Sequence, residues 1–298
     1  MKTYHRIAVL TLVLSSFVGQ FSTASAQTST IGEGDQYAWS GNSGWIDFNP
    51  HRPNAGDGIR VYDRFLSGYA WSPNTGWINF GDGTPANGIS YANTSDTDYG
   101  VNQDGAGNLS GLAWSPNTGW INFGWASNTN TDRPRFDITT GVFTGYAWSA
   151  NLGWINLNTG ILKTDTVLIT DTDGDGISDT WEIFYAGNLT TLNGTGDFDG
   201  DGIKDKDEYL LDTNPLVPNA PFKITRFVKT GPSFYEMEWP SSPARRYGFE
   251  AKQSLADTNW IFLGDVPGAA NTNATVQPLN LGVPSVFLRL ETKLPLRP

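Results

Sequence analysis

The chain has 298 residues, with 19 Lys and Arg against 30 Asp and Glu, and a net charge of −11 at pH 7. That balance argues against nucleic acid or an anionic membrane surface as partner, because both call for basic groups. With no Cys present, disulfides and lipid attachment through an N-terminal Cys are both excluded, and the abundance of Gly and aromatic residues favours a mainly β chain.

The first residues read as an export signal over 1–26. Lys2 and Arg6 supply positive charge, Ile7 to Val18 an apolar stretch, and Ala24-Ser-Ala26 a small-residue cleavage site before Gln27. The apolar run is too short to span a bilayer, and no later stretch is long and apolar enough to do so. The mature protein is expected outside the cytoplasm, extracellular or at the cell surface, with the periplasm as a further destination. Without Lys2 and Arg6 it has 17 basic residues against 30 acidic ones, a net charge near −13.

Residues 27–160 hold four copies of one pattern. They are Tyr37-Ala-Trp39-Ser-Gly-Asn-Ser-Gly-Trp45-Ile-Asp-Phe48, Tyr69-Ala-Trp71-Ser-Pro-Asn-Thr-Gly-Trp77-Ile-Asn-Phe80, Leu112-Ala-Trp114-Ser-Pro-Asn-Thr-Gly-Trp120-Ile-Asn-Phe123 and Tyr146-Ala-Trp148-Ser-Ala-Asn-Leu-Gly-Trp154-Ile-Asn-Leu157. Repetition at this period implies stacked or radial units. Each copy reads as a β-hairpin, with Pro73 at the first corner of a type I turn and Gly76 closing a four-residue loop. In that register Ser72 faces Trp77, and Tyr69, Trp71, Ile78 and Phe80 share one face, which makes the first Trp of each copy core. A three-residue loop would pair Trp71 with Trp77 and split the apolar set.

A further strand is expected before hairpins two to four, at Gly58–Asp63, Tyr99–Gln103 and Pro134–Ile138. The first copy lacks one, and a spare strand follows the last at Gly160–Lys163. A closed array, propeller-like or a barrel, in which the end of the domain completes its beginning accounts for both. The second Trp set, Trp45, Trp77, Trp120 and Trp154, falls on the face with Ala, Ser and Asn. It is a candidate carbohydrate platform, since indole stacks on sugar C–H faces, although a Trp recurring in every copy more often serves packing between repeats. These copies resemble the Ala-Trp-Ser-x-Asn-x-Gly-Trp-Ile units of bacterial surface proteins, a resemblance that carries little function with it.

Within 161–218 lie two twelve-residue loops. Asp171, Asp173, Asp175, the carbonyl of Ile177, Asp179 and Glu182 stand at positions one, three, five, seven, nine and twelve, and Asp197, Asp199, Asp201, Ile203, Asp205 and Glu208 repeat them. Gly176 and Gly202 occupy position six, where the loop turns sharply, and such an oxygen set suits Ca²⁺. Without a cation each close carboxylate pair costs about 4 kcal/mol at an effective dielectric near 20. Two structural Ca²⁺ ions are therefore expected.

No entering helix precedes either loop: Ile161–Thr170 is strand-like and Gly194-Thr-Gly196 forbids one. The loops thus resemble the second halves of EF-hands, and more closely the loop-plus-helix units of dockerins and thrombospondin type 3 repeats, in which the resemblance implies structural calcium. The internal placement and the Glu at position twelve argue against a dockerin-like plug. Trp181, Phe184, Tyr185, Tyr209, Leu210 and Leu211 are expected to pack the two short helices together.

After a Pro-rich linker, Asn214–Pro221, residues 219–298 show six or seven short strands, consistent with a small β-sandwich. The succession Tyr247, Ser254-Leu255 and Trp260 resembles fibronectin-like C-terminal modules of exported bacterial proteins, and Trp239 and Trp260 are expected in its core. His51 is the one His outside the signal, and neither a Gly-x-Ser-x-Gly elbow nor a phosphate-binding Gly-rich loop is present. The expectation is a non-enzymatic, calcium-binding secreted or surface protein, engaged in adhesion or surface interaction, with a surface glycan or surface protein as partner. The alternative is a carbohydrate-binding module built on the second Trp set.

Overall fold

A computed structural model describes residues 29–50, 58–252, 254, 256, 258–270, 272–280 and 287–296. The export signal at 1–26, His51 and Leu255 lie outside the described residues. The fold is mainly β. In chain order, β1 (Ile31–Ser40) and β2 (Gly44–Asp47) form the first hairpin. The short strands β3 (Arg60–Val61) and β4 (Leu66–Ser67) precede the second, β5 (Tyr69–Ser72) and β6 (Gly76–Asn79). β7 (Val101–Gln103) precedes the third, β8 (Leu109–Ser115) and β9 (Gly119–Asn122). β10 (Arg135–Phe136) and β11 (Phe143–Thr144) precede the fourth, β12 (Tyr146–Ser149) and β13 (Gly153–Asn156), and β14 (Leu162–Thr164) follows.

The eight hairpin strands close on themselves. Their order is β13-β12-β9-β8-β6-β5-β2-β1, and β1 pairs back with β13 through Trp39 opposite Asn156 and Ser40 opposite Ile155. The first half of β1 takes β14 as its partner, Ile31 opposite Thr164, which is the completion expected from a missing first strand and a spare last one. The result is a β-barrel with no open edge among these strands.

The hairpin register is the three-residue one, and the first Trp set is not core. Ser72 faces Gly76, Trp71 faces Trp77, Ala70 faces Ile78 and Tyr69 faces Asn79, with the same pairing in the other three copies. Pro73 and Asn74 form the turn, and Gly76 follows in the left-handed region at φ +76, where it pairs as a bulge instead of extending the loop. That one-residue difference turns every side chain of the first strand to the other face, while Ile78 and Phe80 stay inward as expected.

Ala38, Ala70, Ala113 and Ala147, the four motif Ser residues, and Ile46, Ile78, Ile121 and Ile155 therefore point inward and are buried. Phe48, Phe80, Phe123 and Leu157 fill the other end, with Phe48–Phe80 and Phe80–Phe123 centroids 5.1 and 5.4 Å apart. The interior of an eight-stranded barrel is just wide enough for such side chains. Eight indoles do not fit there, so both Trp sets lie outside as cross-strand pairs, with centroids 4.9 Å apart for Trp39–Trp45 and 4.7 Å for Trp114–Trp120 and Trp148–Trp154. Each buried Ile or Phe contributes roughly 1.5–3 kcal/mol, and each ring pair about 1 kcal/mol.

The recurring Asn residues have structural tasks. In each loop the Asn amide donates to a carbonyl of the neighbouring loop: Asn74 to Ser43, Asn117 to Thr75, Asn151 to Thr118, and Asn42 to Leu152. At the far strand end, Asp47, Asn79, Asn122 and Asn156 each accept from the backbone N–H two residues on, ending the strand in an Asx turn.

Two short helices follow, α1 (Asp179–Ala186) and α2 (Asp205–Leu211). Their shared cluster holds Ile177, Trp181, Leu192 and Tyr209, with Tyr185 partly buried against it and the Trp181 and Tyr209 rings 5.5 Å apart. Phe184, expected here, is instead exposed, because Trp181 and Tyr185, four residues apart, take the inward face of α1.

The C-terminal strands are β15 (Arg226–Lys229), β16 (Phe234–Pro240), β17 (Arg246–Lys252), β18 (Ile261–Pro267), β19 (Ala274–Asn280) and β20 (Phe287–Lys293). They form two three-stranded sheets, β15-β16-β19 and β18-β17-β20. Met237 and Trp239 of the first and Tyr247 and Phe249 of the second share one buried cluster. Trp260 is outside that core, half-buried beneath the cationic groups of Lys252 and Arg289 at 4.7 and 4.8 Å.

Candidate metal centre

The two acidic loops fold alike. In the first, Asp171 accepts from the backbone N–H groups of Gly174 and Gly176 at 2.9 and 3.1 Å, and Asp175 from Ile177 at 2.8 Å. In the second, Asp197 accepts from Gly200 and Gly202 at 2.8 and 2.9 Å, and Asp201 from Ile203 at 2.8 Å. The position-six glycines stand at φ +90 and +93, a conformation that would strain any side chain there. In each loop one oxygen from each of the first three Asp side chains, Asp171, Asp173 and Asp175 or Asp197, Asp199 and Asp201, falls within 4.8 Å of the others.

Position twelve lies on the first turn and a half of each helix. Glu182 and Glu208 are both fully buried, at 0% exposure. Neither oxygen of Glu182 has a hydrogen-bond partner, and Oδ2 of Asp175 beside it has none. In the second loop Oε2 of Glu208 and Oδ2 of Asp199 are similarly unpaired. A buried carboxylate left unbonded is costly, and a hard cation is the partner that would satisfy all these oxygens together. The donor set therefore fits Ca²⁺. Burial first, then Asp175 and Asp173, pushes the Glu182 carboxyl up to about 7. Burial likewise pushes Glu208 up to about 7, with Asp199 and Asp201 adding to it and the Asn219 hydrogen bond opposing.

Position nine serves the loop itself. Asp179 accepts from the backbone N–H and hydroxyl of Thr172 at 2.7 and 2.6 Å, and Asp205 from the N–H groups of Phe198 and Asn193 at 2.9 and 3.0 Å. Both acids thus brace position two against the helix start. Backbone bonds from Asp179 to Thr170 and from Asp205 to Gly196, each 3.0 Å, close the loops at the same place.

Three residues that local sequence does not flag complete the arrangement. Asn219, in the Pro-rich linker, folds back over the second loop, its amide on Glu208 at 2.8 Å and its backbone N–H on Asp201. Asp63 of the barrel accepts from Ser178 and Thr180 at 2.6 and 2.8 Å, placing a carboxylate at the N-terminus of α1. Arg245 of the C-terminal sheets donates to the carbonyls of Tyr209 and Leu210 and pairs with Asp212 at 3.3 Å, placing a cation at the C-terminus of α2. Each helix is thus capped by a neighbouring part of the chain, and Lys206 joins the loops through the carbonyl of Asp175.

The second Trp set comes to the surface of the barrel wall, with Trp45 and Trp154 each 48% exposed and Trp120 42%. These residues are spread around the barrel, one to each hairpin.

Neither the curated proteins nor the solved structures contain a match to the chain. The family model described as the bacterial TSP3 repeat matches residues 171–187 and 197–218, the two loops with their helices, and this likeness supports a calcium-binding, structural role for the segment.

Proposed function

We propose that the chain is a non-enzymatic, exported calcium-binding protein of the cell surface or extracellular space, with two structural Ca²⁺ ions and a role in adhesion. The observation that carries this reading is the pair of fully buried glutamates, Glu182 and Glu208, each with an unbonded oxygen and each feeling the charge of the Asp side chains of its own loop. Asp171, Asp173, Asp175, Ile177 and Glu182 would hold one ion and Asp197, Asp199, Asp201, Ile203 and Glu208 the other, with Asp179 and Asp205 as braces. Bound Ca²⁺ supplies positive charge that lets the acidic loops close, and the folding of each loop then sets its helix for capping by Asp63 or Arg245. In this reading the segment is a rigid joint between a repeat barrel and a terminal sandwich, with a surface protein or glycan as partner. Among the described residues no helix is long and apolar enough to cross a membrane.

The test is calorimetric titration of the metal-stripped chain with Ca²⁺, followed by melts with and without it. Two bound ions and a calcium-dependent melt are expected; no binding at millimolar Ca²⁺ sinks the reading.

A second reading, carbohydrate binding by Trp45, Trp77, Trp120 and Trp154, is favoured by the exposure of Trp45, Trp120 and Trp154, Trp77 being half-buried. Against it, the Asn and Asp beside them are engaged in Asx turns. Trp77→Ala and Trp120→Ala decide it: retained stability with lost glycan retention supports sugar binding, and loss of stability alone assigns these side chains to packing.

A further inference from the structure

Trp125 breaks the pattern of the repeats. Two residues after the terminal Phe or Leu of each copy stand Pro50, Asp82 and Thr159, and only the third copy has an aromatic side chain there. Its indole N–H donates to the backbone carbonyl of Tyr146 at 2.6 Å, which holds the ring against Trp154 with centroids 4.8 Å apart and planes at 65°. Tyr146 also meets Trp154, at 6.4 Å and 74°. Together with Asp132 these three rings line an open cleft of about 320 Å³.

The cleft is built rather than incidental. The backbone carbonyl of Asp132 accepts from the N–H of Tyr146 at 2.9 Å, so Trp125 and Asp132 are both tied to the backbone of one residue. Arg135 donates to the carbonyls of Asn130 and Thr131 and steadies the segment that carries Asp132. Gly145, at φ +81, allows this close approach, since a Cβ there would lie 1.9 Å from the carbonyl oxygen of Arg133.

We propose that this cleft binds an organic ammonium group, quaternary or methylated. Aromatic faces present negative potential, a carboxylate adds full charge, and an alkylated cation offers both charge and apolar surface. The Trp125 and Tyr146 rings stand edge-on to Trp154, at 65° and 74°, so the three do not share the flat plane on which a pyranose stacks. Asp132 is the charged residue of the lining, and the Trp125 indole N–H is already engaged by the Tyr146 carbonyl, which leaves few polar groups for the hydroxyls of a sugar. The net charge of −11 draws cations towards the surface.

The test is calorimetry on the full chain in saturating Ca²⁺, with choline as probe, 3,3-dimethylbutan-1-ol as its uncharged isostere, and methyl glucoside as the sugar. Saturable choline binding is expected, weakened about tenfold or more by Trp125→Ala and by Asp132→Asn, with the isostere weaker by a similar factor. Asp132→Asn keeps the shape of the side chain, and thermal melts confirm that both variants are folded. Equal binding of the isostere overturns the proposal in favour of a merely apolar cleft, methyl glucoside binding without choline overturns it in favour of a sugar subsite, and no binding of any probe overturns it outright. None of these outcomes bears on the calcium reading, which has its own titration.

Discussion

The side-chain amide of Asn42 donates to the backbone carbonyl of Leu152 at 3.3 Å, tying the first hairpin loop to the last across 110 residues of sequence. With the equivalent bonds of Asn74, Asn117 and Asn151 it completes a ring of loop-to-loop contacts at one end of the barrel. Asn42→Ala is expected to destabilise the barrel by about 1 kcal/mol, the net worth of one such bond. Chemical denaturation followed by Trp fluorescence measures it, and an unchanged midpoint would show that β1–β13 pairing and the Ser40 hydroxyl on the same carbonyl close the barrel without the amide.

The hairpin register has an equally direct check in the first copy. Ala38 is fully buried in the barrel while Trp39 is 41% exposed. Ala38→Leu overpacks the interior and is expected to cost about 1–3 kcal/mol. Trp39→Ala removes one exposed ring pair and is expected to cost about 1 kcal/mol. The reverse order would restore the register in which the first Trp is core.

Removal of calcium makes stability depend on pH with a definite sign. The folded-state values of about 7 for Glu182 and Glu208 lie above the ordinary 4.5, so the metal-free fold holds protons that the unfolded chain has released. Their favourable contribution is complete below 4.5 and is lost as pH rises through about 7. Metal-free protein should melt at a lower temperature at pH of about 8 than at about 5. Calcium needs the ionised carboxylates, so its affinity should weaken as pH falls below about 7. Glu182→Gln should remove one ion from the titration and flatten part of the metal-free pH dependence.

Arg245 ties the C-terminal sheets to α2 through the Tyr209 and Leu210 carbonyls and through Asp212. Arg245→Ala leaves those groups without their charged donor, at a cost of about 2 kcal/mol. Faster proteolysis within Asn214–Pro221 and a larger radius in solution scattering are the expected readouts, with the barrel melt unchanged.

The two acidic loops are legible in the sequence because their geometry is local: Asp and Gly at fixed spacing state the turn, and the Glu at position twelve falls on the helix that follows. Closure of the barrel is legible too, from the strand missing before Tyr37 and the one left over at Leu162. The register is not, because it depends on whether Gly76 ends the loop or pairs as a bulge, and hydrophobicity alone sends Trp71 inward. What decides it is the width of an eight-stranded barrel, a property of all four copies together. Asp63, Asn219 and Arg245 were beyond reach for a different reason. Each acts on groups brought to it by the folding of another segment, and no pattern around it announces the contact.

A ring of repeats differs from an open stack in what it allows a gene to do. In a stack, duplicating one unit lengthens the array and leaves each neighbour undisturbed. Here β1 must find β13 and β14, so the copy number is fixed by geometry. A fifth hairpin would make ten strands, and the wider interior would be left unfilled by Ala, Ser, Ile and Phe. Unequal recombination among these near-identical copies should therefore be purged at four, while the connections between hairpins stay free to vary, as they do at Trp125.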